Sequence, residues 1–248
     1  MGTLPAPIGQ ETASQRLTDL IPPEQWSVYA RFITETAGKD IPFALGGGLA
    51  VSVYSAYVRN TKDMDIYLRE QDSRRVIEIT RELGFQEYTE FPYDPTWSYR
   101  SARNGYIIDF LWRMLNGKAS VDETWLTRGW ELRIRGVSLR VIPVEELILS
   151  KLYILKMDRT DWPDILSLLY AQGVGLDWER LLSTLGDDRP LLGSVMNVLR
   201  WLCPGRACRF PESIWAPLGL LPPTSSHPEV DQSRLALLNA EHLFGELP

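Results

Sequence analysis

Two aspartates have the type and the spacing for metal-assisted phosphate chemistry. Asp63 and Asp65 are two residues apart in the segment Asp63–Leu68, where polar and apolar residues alternate. This alternation predicts a half-buried strand, in which both carboxylates leave the same face. Carboxylates paired on a rigid strand suit Mg²⁺. The alternative interpretation is an exposed strand face whose charges discourage pairing with another chain.

A third carboxylate, Asp109, lies inside an otherwise apolar segment that runs from Tyr106 to Trp112. A buried charge without a partner would cost several kcal/mol there, so the sequence predicts that Asp109 pairs with a metal cation or an arginine. The dipeptide Asn104-Gly105 precedes this segment. It is typical of a two-residue hairpin turn, which predicts that segments 97–99 and 106–112 pair as antiparallel strands.

A glycine triplet supplies the second chemical signal. Gly46, Gly47 and Gly48 follow a short apolar run, residues 41–45, and precede the segment 49–57, which has helical spacing. A glycine backbone can approach a phosphate closely, and the unpaired N–H groups at a helix N-terminus bind anions. Taken alone, the triplet is better explained as a tight turn between a strand and a helix, without a ligand, so the rest of the sequence must decide.

The order of these parts resembles the DNA polymerase beta-like nucleotidyltransferase superfamily. The first part of the motif is Leu45-Gly46-Gly47-Gly48-Leu49-Ala50-Val51, and the second is Thr61-Lys62-Asp63-Met64-Asp65-Ile66. The Gly-Leu-Ala and Thr-Lys-Asp pieces are similar to the small bacterial branch with the minimal and abortive-infection type enzymes. Two departures are a slightly long segment between the two parts and a glycine where many members have a phosphate-contacting serine. The resemblance covers about residues 41–170.

The resemblance implies roles for particular residues. Asp63 and Asp65 would hold the Mg²⁺ that is bound to the phosphates of a nucleoside triphosphate, while Asp109 would share a second ion and take the proton of the acceptor hydroxyl. Lys151 would neutralise charge on the leaving pyrophosphate, or alternatively be a surface lysine on an apolar helix. The implied catalytic and metal-binding residues are Asp63, Asp65 and Asp109; the implied nucleotide-binding residues are Gly46, Gly47, Gly48, Arg59, Lys151 and Arg159.

The implied function is Mg²⁺-dependent transfer of a nucleoside monophosphate from a nucleoside triphosphate to a hydroxyl, with release of pyrophosphate. The acceptor would be a small molecule, a protein or an RNA such as tRNA, and members of the branch include antibiotic-modifying enzymes and toxins. The alternative is a non-catalytic nucleotide-binding or interaction protein that retains the fold. The presence of all three carboxylates favours catalysis.

The elements that must position these residues predict an α+β fold. We expect a nucleotidyltransferase-type mixed β-sheet with flanking helices, followed by a helical C-terminal part. A boundary near Pro143 predicts a catalytic domain over 1–142 and a helical domain over 143–248, with a proline-rich segment at 203–228. Helices are predicted over 144–157, 162–172 and 231–244, whereas the first 21 residues are interpreted as a polar leader.

The charge balance bears on the acceptor. The chain has 26 Lys and Arg against 32 Asp and Glu, a net charge of −6. Residues 97–140 nevertheless hold eight basic residues and four acidic ones, a local excess of 8 − 4 = +4. This excess predicts either a docking surface for a polyanion such as RNA or a set of scattered, solvated charges.

Localisation is predicted from what the sequence lacks. Two cysteines, Cys203 and Cys208, are too few for a disulfide framework. The first residues show no basic region followed by an apolar run, and no apolar stretch reaches the roughly 20 residues of a membrane helix. We therefore expect a cytoplasmic protein without a membrane partner.

Overall fold

The computed structural model describes residues 9–58, 61, 63–114, 116–224, 226 and 228–244. The chain divides into two compact units. A sheet unit contains residues 9–53 and the described residues of 61–143, and a helical unit contains residues 54–58 and the described residues from 144 onward. The α+β class predicted from the sequence, a mixed sheet with flanking helices followed by a helical part, is confirmed.

The sheet unit is organised around a five-stranded mixed sheet with the strand order β1-β2-β5-β4-β3. Strands β2 and β5 pair in parallel, and the other neighbouring strands pair antiparallel. A separate hairpin is formed by β6 and β7. The strands are β1 (Phe43–Leu45), β2 (Asp63–Leu68), β3 (Gln86–Glu87), β4 (Ser98–Arg103), β5 (Tyr106–Leu111), β6 (Glu131–Ile134) and β7 (Val137–Arg140).

The two faces of the central strands differ as the alternation in the sequence predicts. Met64, Ile66 and Leu68 of β2 are fully buried, and so are Ile108 and Phe110 of β5. The aspartates of these strands lie on the opposite face and are half-buried. Burial of the apolar set fixes the register, because a slip of one residue would turn the aspartates into the core.

The β4–β5 hairpin turns at Asn104 and Gly105, as predicted. Their φ angles are +54° and +80°. Positive φ at both central residues is typical of the type I′ turn, whose twist matches that of the two strands. The turn fixes which residues of β4 and β5 lie opposite each other.

Five helices belong to the described residues of the first part of the chain, and neither the first nor the last of them was predicted. Residues interpreted as a leader form a helix in which Ala13 and Leu17 are fully buried. Arg135 donates hydrogen bonds to the Thr18 and Ile21 carbonyls at the end of this helix. The pattern was missed because few apolar residues mark the helix. The helices are α1 (Gln10–Leu20), α2 (Pro23–Ala37), α3 (Gly47–Tyr54), α4 (Glu70–Glu82) and α5 (Glu123–Thr127).

The helical unit contains six α-helices among its described residues, and two of them are shorter than predicted. The first ends at Leu152 because a tight hairpin follows, in which the Lys156 N–H donates to the Arg159 carbonyl. The last ends at Leu237, shortly before Asn239, whose φ is +49°. The helices are α6 (Val144–Leu152), α7 (Trp162–Gln172), α8 (Trp178–Leu185), α9 (Arg189–Leu202), α10 (Pro204–Ala207) and α11 (Gln232–Leu237).

An ionic cluster joins α6 to α8. Arg180 of α8 pairs with Glu146 and lies 2.7 Å from Glu145 Oε2, and both glutamates are buried. The Asp177 N–H donates to Glu145 Oε1 at 2.8 Å. Burial raises the pKa of Glu146 above its usual value, although the Arg180 charge opposes this shift. Arg180 is therefore the cation on which two buried carboxylates depend.

We expect Arg180→Met to lower the free energy of unfolding by about 3–5 kcal/mol near neutral pH, because it leaves buried carboxylates without their cation. The pKa of Glu146 is higher in the folded state than in the unfolded state, so folding takes up a proton in the pH range between the two values. Folding is therefore favoured as the pH falls through this range. The penalty should therefore shrink when urea unfolding is repeated at an acidic pH at which the Glu146 carboxyl takes up its proton. Arg74→Met, at an exposed arginine, is the control. An equal penalty at both pH values would contradict this assignment.

Candidate active site

The three predicted catalytic aspartates lie together on one face of the sheet. Asp63 and Asp65 are on β2, and Asp109 is on β5. In the parallel pairing of these strands Asp65 is the register partner of Asp109, and Asp63 is the partner of Ile107. Paired residues of neighbouring strands present their side chains on the same face. The structure therefore brings Asp109 together with two carboxylates that precede it by 44 and 46 residues in sequence.

Asp109 has an arginine partner, which is one of the two possibilities that the sequence predicted. Arg100 Nε donates to Asp109 Oδ1 at 2.5 Å, and Arg100 Nη2 donates to Oδ2 at 2.7 Å. The hydrogen bonds to Asp109 raise the pKa of the Arg100 guanidinium above its usual value against the effect of burial, and the charges of Asp109, Asp63 and Asp65 add to the shift. All four side chains therefore form one electrostatic cluster.

Sequence reasoning counted Arg100 only as part of a basic excess and did not assign it to the site. The signal was available in the hairpin turn. Counting outward from Asn104-Gly105, the residue opposite Asp109 is Arg100, and this is the observed register. Arg100 is thus a site residue that the sequence contained but that the motif analysis missed.

The glycine turn lies directly against Asp65. The Gly46 N–H donates to the Asp65 carbonyl at 2.8 Å. Gly47 has a φ of +59°, and a Cβ added there would lie 1.6 Å from Asp65 Oδ2. A Cβ added to Gly46 would lie 2.1 Å from the Tyr67 ring. Gly48 follows within the first turn of α3. No side chain can stand at position 47 while the Asp65 carboxylate keeps its place.

A buried tyrosine supports the strand that carries Asp109. Tyr29 of α2 is inaccessible to solvent, and its hydroxyl donates to the Ile107 carbonyl at 3.1 Å. Gln25 Nε2 donates to the same hydroxyl at 3.0 Å. Burial raises the pKa of Tyr29 to about 12, and the charges of Asp63 and Asp65 contribute to the increase. Tyr29 lies outside the sequence motifs that predicted the site.

The aspartates fit a magnesium ion that is completed by phosphates. Among the described residues, no three His, Cys, Asp or Glu side chains are grouped closely enough to hold a metal ion by themselves. Mg²⁺ is usually held by one or two carboxylates together with substrate phosphates, not by a cage made only of protein. Asp63 and Asp65, on one face of one strand, would supply such a pair of oxygen ligands.

Two predicted cations of the site belong to the helical unit. Lys151 is buried, and its Nζ lies 2.8 Å from Asp161 Oδ2 and 2.8 Å from Asp164 Oδ2. Arg159, which is half-exposed, donates to both oxygens of Asp161 at 2.9 and 3.0 Å. Burial alone would raise the pKa of Asp161, but Arg159 and Lys151 hold it below its usual value. The predicted residue Arg59 lies outside the described residues.

Much of the basic excess over residues 97–140 is used within the sheet unit. Arg100 and Arg113 bind carboxylates, whereas Arg103 and Arg135 donate to carbonyls at helix ends. Arg140 donates to the Thr127 and Gly129 carbonyls and to Glu131. These contacts are a third explanation of the basic excess, in addition to the polyanion surface and the scattered solvated charges considered above.

No helix in the described part of the chain is both long and apolar enough to cross a membrane.

Comparison with solved structures finds several nucleotidyltransferases. ANT(2'')-Ia, an antibiotic-resistance factor, is 17% identical with a TM-score of 0.47, covering 70% of this chain and 96% of that one. The lincosamide antibiotic adenylyltransferase LnuA is 17% identical with a TM-score of 0.41, covering 60% and 96%. An antigenic nucleotidyltransferase-like protein from Paracoccidioides brasiliensis is 15% identical with a TM-score of 0.39, covering 73% and 92%. No curated protein matches the sequence.

A family model described as an uncharacterised nucleotidyltransferase matches residues 29–187. The matched segment is well over half of the chain and includes the glycine turn, the three aspartates, Lys151 and Arg159. The resemblance to nucleotidyltransferases inferred from the sequence motifs is confirmed. The chain belongs to this uncharacterised nucleotidyltransferase family.

Proposed function

We propose that the protein is a Mg²⁺-dependent nucleotidyltransferase that moves a nucleoside monophosphate from a nucleoside triphosphate to a hydroxyl of a small-molecule, protein or RNA acceptor. The observation that carries the proposal is the contact between the glycine turn and Asp65, with Asp109 as the register partner of Asp65. This arrangement combines a phosphate-binding backbone with carboxylates in a chain of the nucleotidyltransferase family.

Each part of the site has a proposed task. Asp63 and Asp65 hold the magnesium ion, which when bound neutralises phosphate charge as it develops during transfer. The N–H groups of the glycine turn bind and orient the triphosphate. Asp109 accepts the proton of the acceptor hydroxyl, and Arg100 positions that carboxylate before the triphosphate binds. The acceptor oxygen forms a bond to the α-phosphorus, the bond to the β-phosphate breaks, and pyrophosphate leaves.

Two basic residues of the helical unit complete the proposal. Arg159 remains half-exposed while it holds Asp161, so its guanidinium is a candidate contact for phosphate. Lys151 is proposed as a second phosphate contact, with Asp161 and Asp164 fixing the ammonium group in place. The same contacts give Lys151 a structural role, so the two roles need separate measurements.

The central test is nucleotide binding and transfer in a carboxylate variant. Calorimetric titration of ATP, CTP, GTP and UTP with Mg²⁺ should show binding to the wild type that is lost in the Asp63→Asn, Asp65→Asn double variant, because a neutral amide oxygen holds the ion far more weakly than a carboxylate. Labelled triphosphates offered with separate acceptor pools should transfer label only with the wild type. Asp187→Asn, at an exposed carboxylate, is the matched control.

Nucleotidyl transfer that survives in the double variant would contradict the assignment of Asp63 and Asp65 as metal ligands. Binding of no nucleotide by the wild type would instead favour the interaction-protein alternative, in which the fold is kept without catalysis.

A second prediction concerns Gly47. We expect Gly47→Ala to reduce transfer at least a hundredfold, because the added Cβ occupies the position of the Asp65 carboxylate and the φ is unfavourable for alanine. A loss of about two orders of magnitude corresponds to roughly 2.7 kcal/mol of transition-state stabilisation. Gly175→Ala is the control, since its Cβ would meet only an ordinary contact at 3.9 Å. Near-normal transfer by Gly47→Ala would show that Asp65 is dispensable in its present position.

A third prediction separates the two roles of Lys151. Lys151→Gln should lower the free energy of unfolding by about 3–5 kcal/mol, because it leaves buried carboxylates without their ammonium partner. Lys39→Gln, which breaks an exposed pair with Glu82, should cost less than about 1 kcal/mol in the same urea titration. If Lys151 also contacts phosphate, the variant will bind nucleotide at least tenfold more weakly. A destabilised variant with unchanged nucleotide affinity would limit Lys151 to its structural role.

A further inference from the structure

The pair of Arg100 and Asp109 places a permanent cation on a carboxylate that the proposed reaction needs. Both oxygens of Asp109 accept hydrogen bonds from one guanidinium, at 2.5 and 2.7 Å. The antiparallel register of β4 and β5 holds the two residues opposite each other. Their side chains are 22% and 13% exposed, so solvent screens the pair only in part. A two-pronged contact of this kind is strong and geometrically specific.

The charge of Arg100 acts beyond Asp109. Asp65 is the register partner of Asp109, and the charges of Asp65 and Asp63 also favour the protonated guanidinium. The formal net charge of the three carboxylates and the guanidinium together is −2, compared with −3 for the carboxylates alone. A divalent ion at Asp109 would compete with the guanidinium for the same oxygens and be repelled by its charge.

We propose that Arg100 is the resident counterion of Asp109 and keeps a second divalent ion out of the site until a nucleoside triphosphate is bound. The inference rests on the proposed function and concerns the regulation of that same site. A triphosphate adds negative charge, which attracts a further ion. It also offers the guanidinium another partner, because the planar fork of arginine matches phosphate as well as carboxylate. Loading of the second ion would thus depend on the presence of the substrate.

The test counts bound ions and does not depend on catalysis. Mn²⁺ binding is measured by the electron paramagnetic resonance signal of the free ion, for the wild type and Arg100→Gln, without nucleotide. We expect Arg100→Gln to bind one more Mn²⁺ per chain than the wild type, with an affinity at that site at least roughly tenfold higher. A triphosphate analogue with a methylene group between the α- and β-phosphorus should give the wild type the additional ion.

Three further variants make the result specific. The Arg100→Gln, Asp109→Asn double variant should lose the additional ion, because the ligand itself is removed. Arg100→Lys keeps the positive charge and should bind as many ions as the wild type, which also covers the case in which Arg100→Gln does not fold. Arg74→Gln, at an exposed arginine of α4, should bind as the wild type does.

The possible failures are distinguishable. An Arg100→Gln protein that folds and binds no more Mn²⁺ than the wild type overturns the inference and leaves the proposed function standing. An additional ion in Arg100→Lys also overturns it, since the charge would then not be the barrier. Absence of Mn²⁺ binding by the wild type with the nucleotide analogue overturns the proposed function, and the inference falls with it.

Discussion

The structure of the sheet unit must accommodate two like charges, those of Asp65 and Asp109, that lie opposite each other on neighbouring strands. The parallel pairing of β2 and β5 makes Asp65 and Asp109 register partners, and like charges directly opposite destabilise a sheet. The buried residues Ile66 and Phe110 prevent either strand from slipping to relieve the repulsion. The neighbouring elements offset this cost. Arg100 balances Asp109 from β4, and Tyr29 fixes the start of β5 at Ile107.

Local patterns in the sequence were enough to predict the elements that bring the three aspartates together. The alternation around Asp63 and Asp65 gave the correct face of β2, and Asn104-Gly105 gave the hairpin. The charge of Asp109 in an apolar segment indicated a cationic partner before any partner was known. These signals work because strand periodicity and turn conformation depend on neighbouring residues and need no knowledge of distant contacts.

Features that depend on distant residues could not be predicted in the same way. Helix α1 has few apolar residues, and its end is held by Arg135, which is more than a hundred residues away. Helix α6 has an apolar pattern that continues past Leu152, but the hairpin that pairs Leu155 with Thr160 stops it. The partners of the buried charged residues of α6 depend on tertiary contacts alone. Lys151 pairs with Asp164 of α7 and with Asp161, which immediately precedes that helix. Glu145 and Glu146 pair with Arg180 of α8.

The space shared by Gly47 and Asp65 also affects how relatives of this chain should be interpreted. A search that looks only for the three acidic positions would count as an enzyme any sequence that keeps them. Because a side chain at position 47 would overlap the Asp65 carboxylate, such a sequence can retain every acid and still lack a usable ligand. An inactive member of the family can therefore arise without any change at the three aspartates. An alanine at the position of Gly47 would identify such a member.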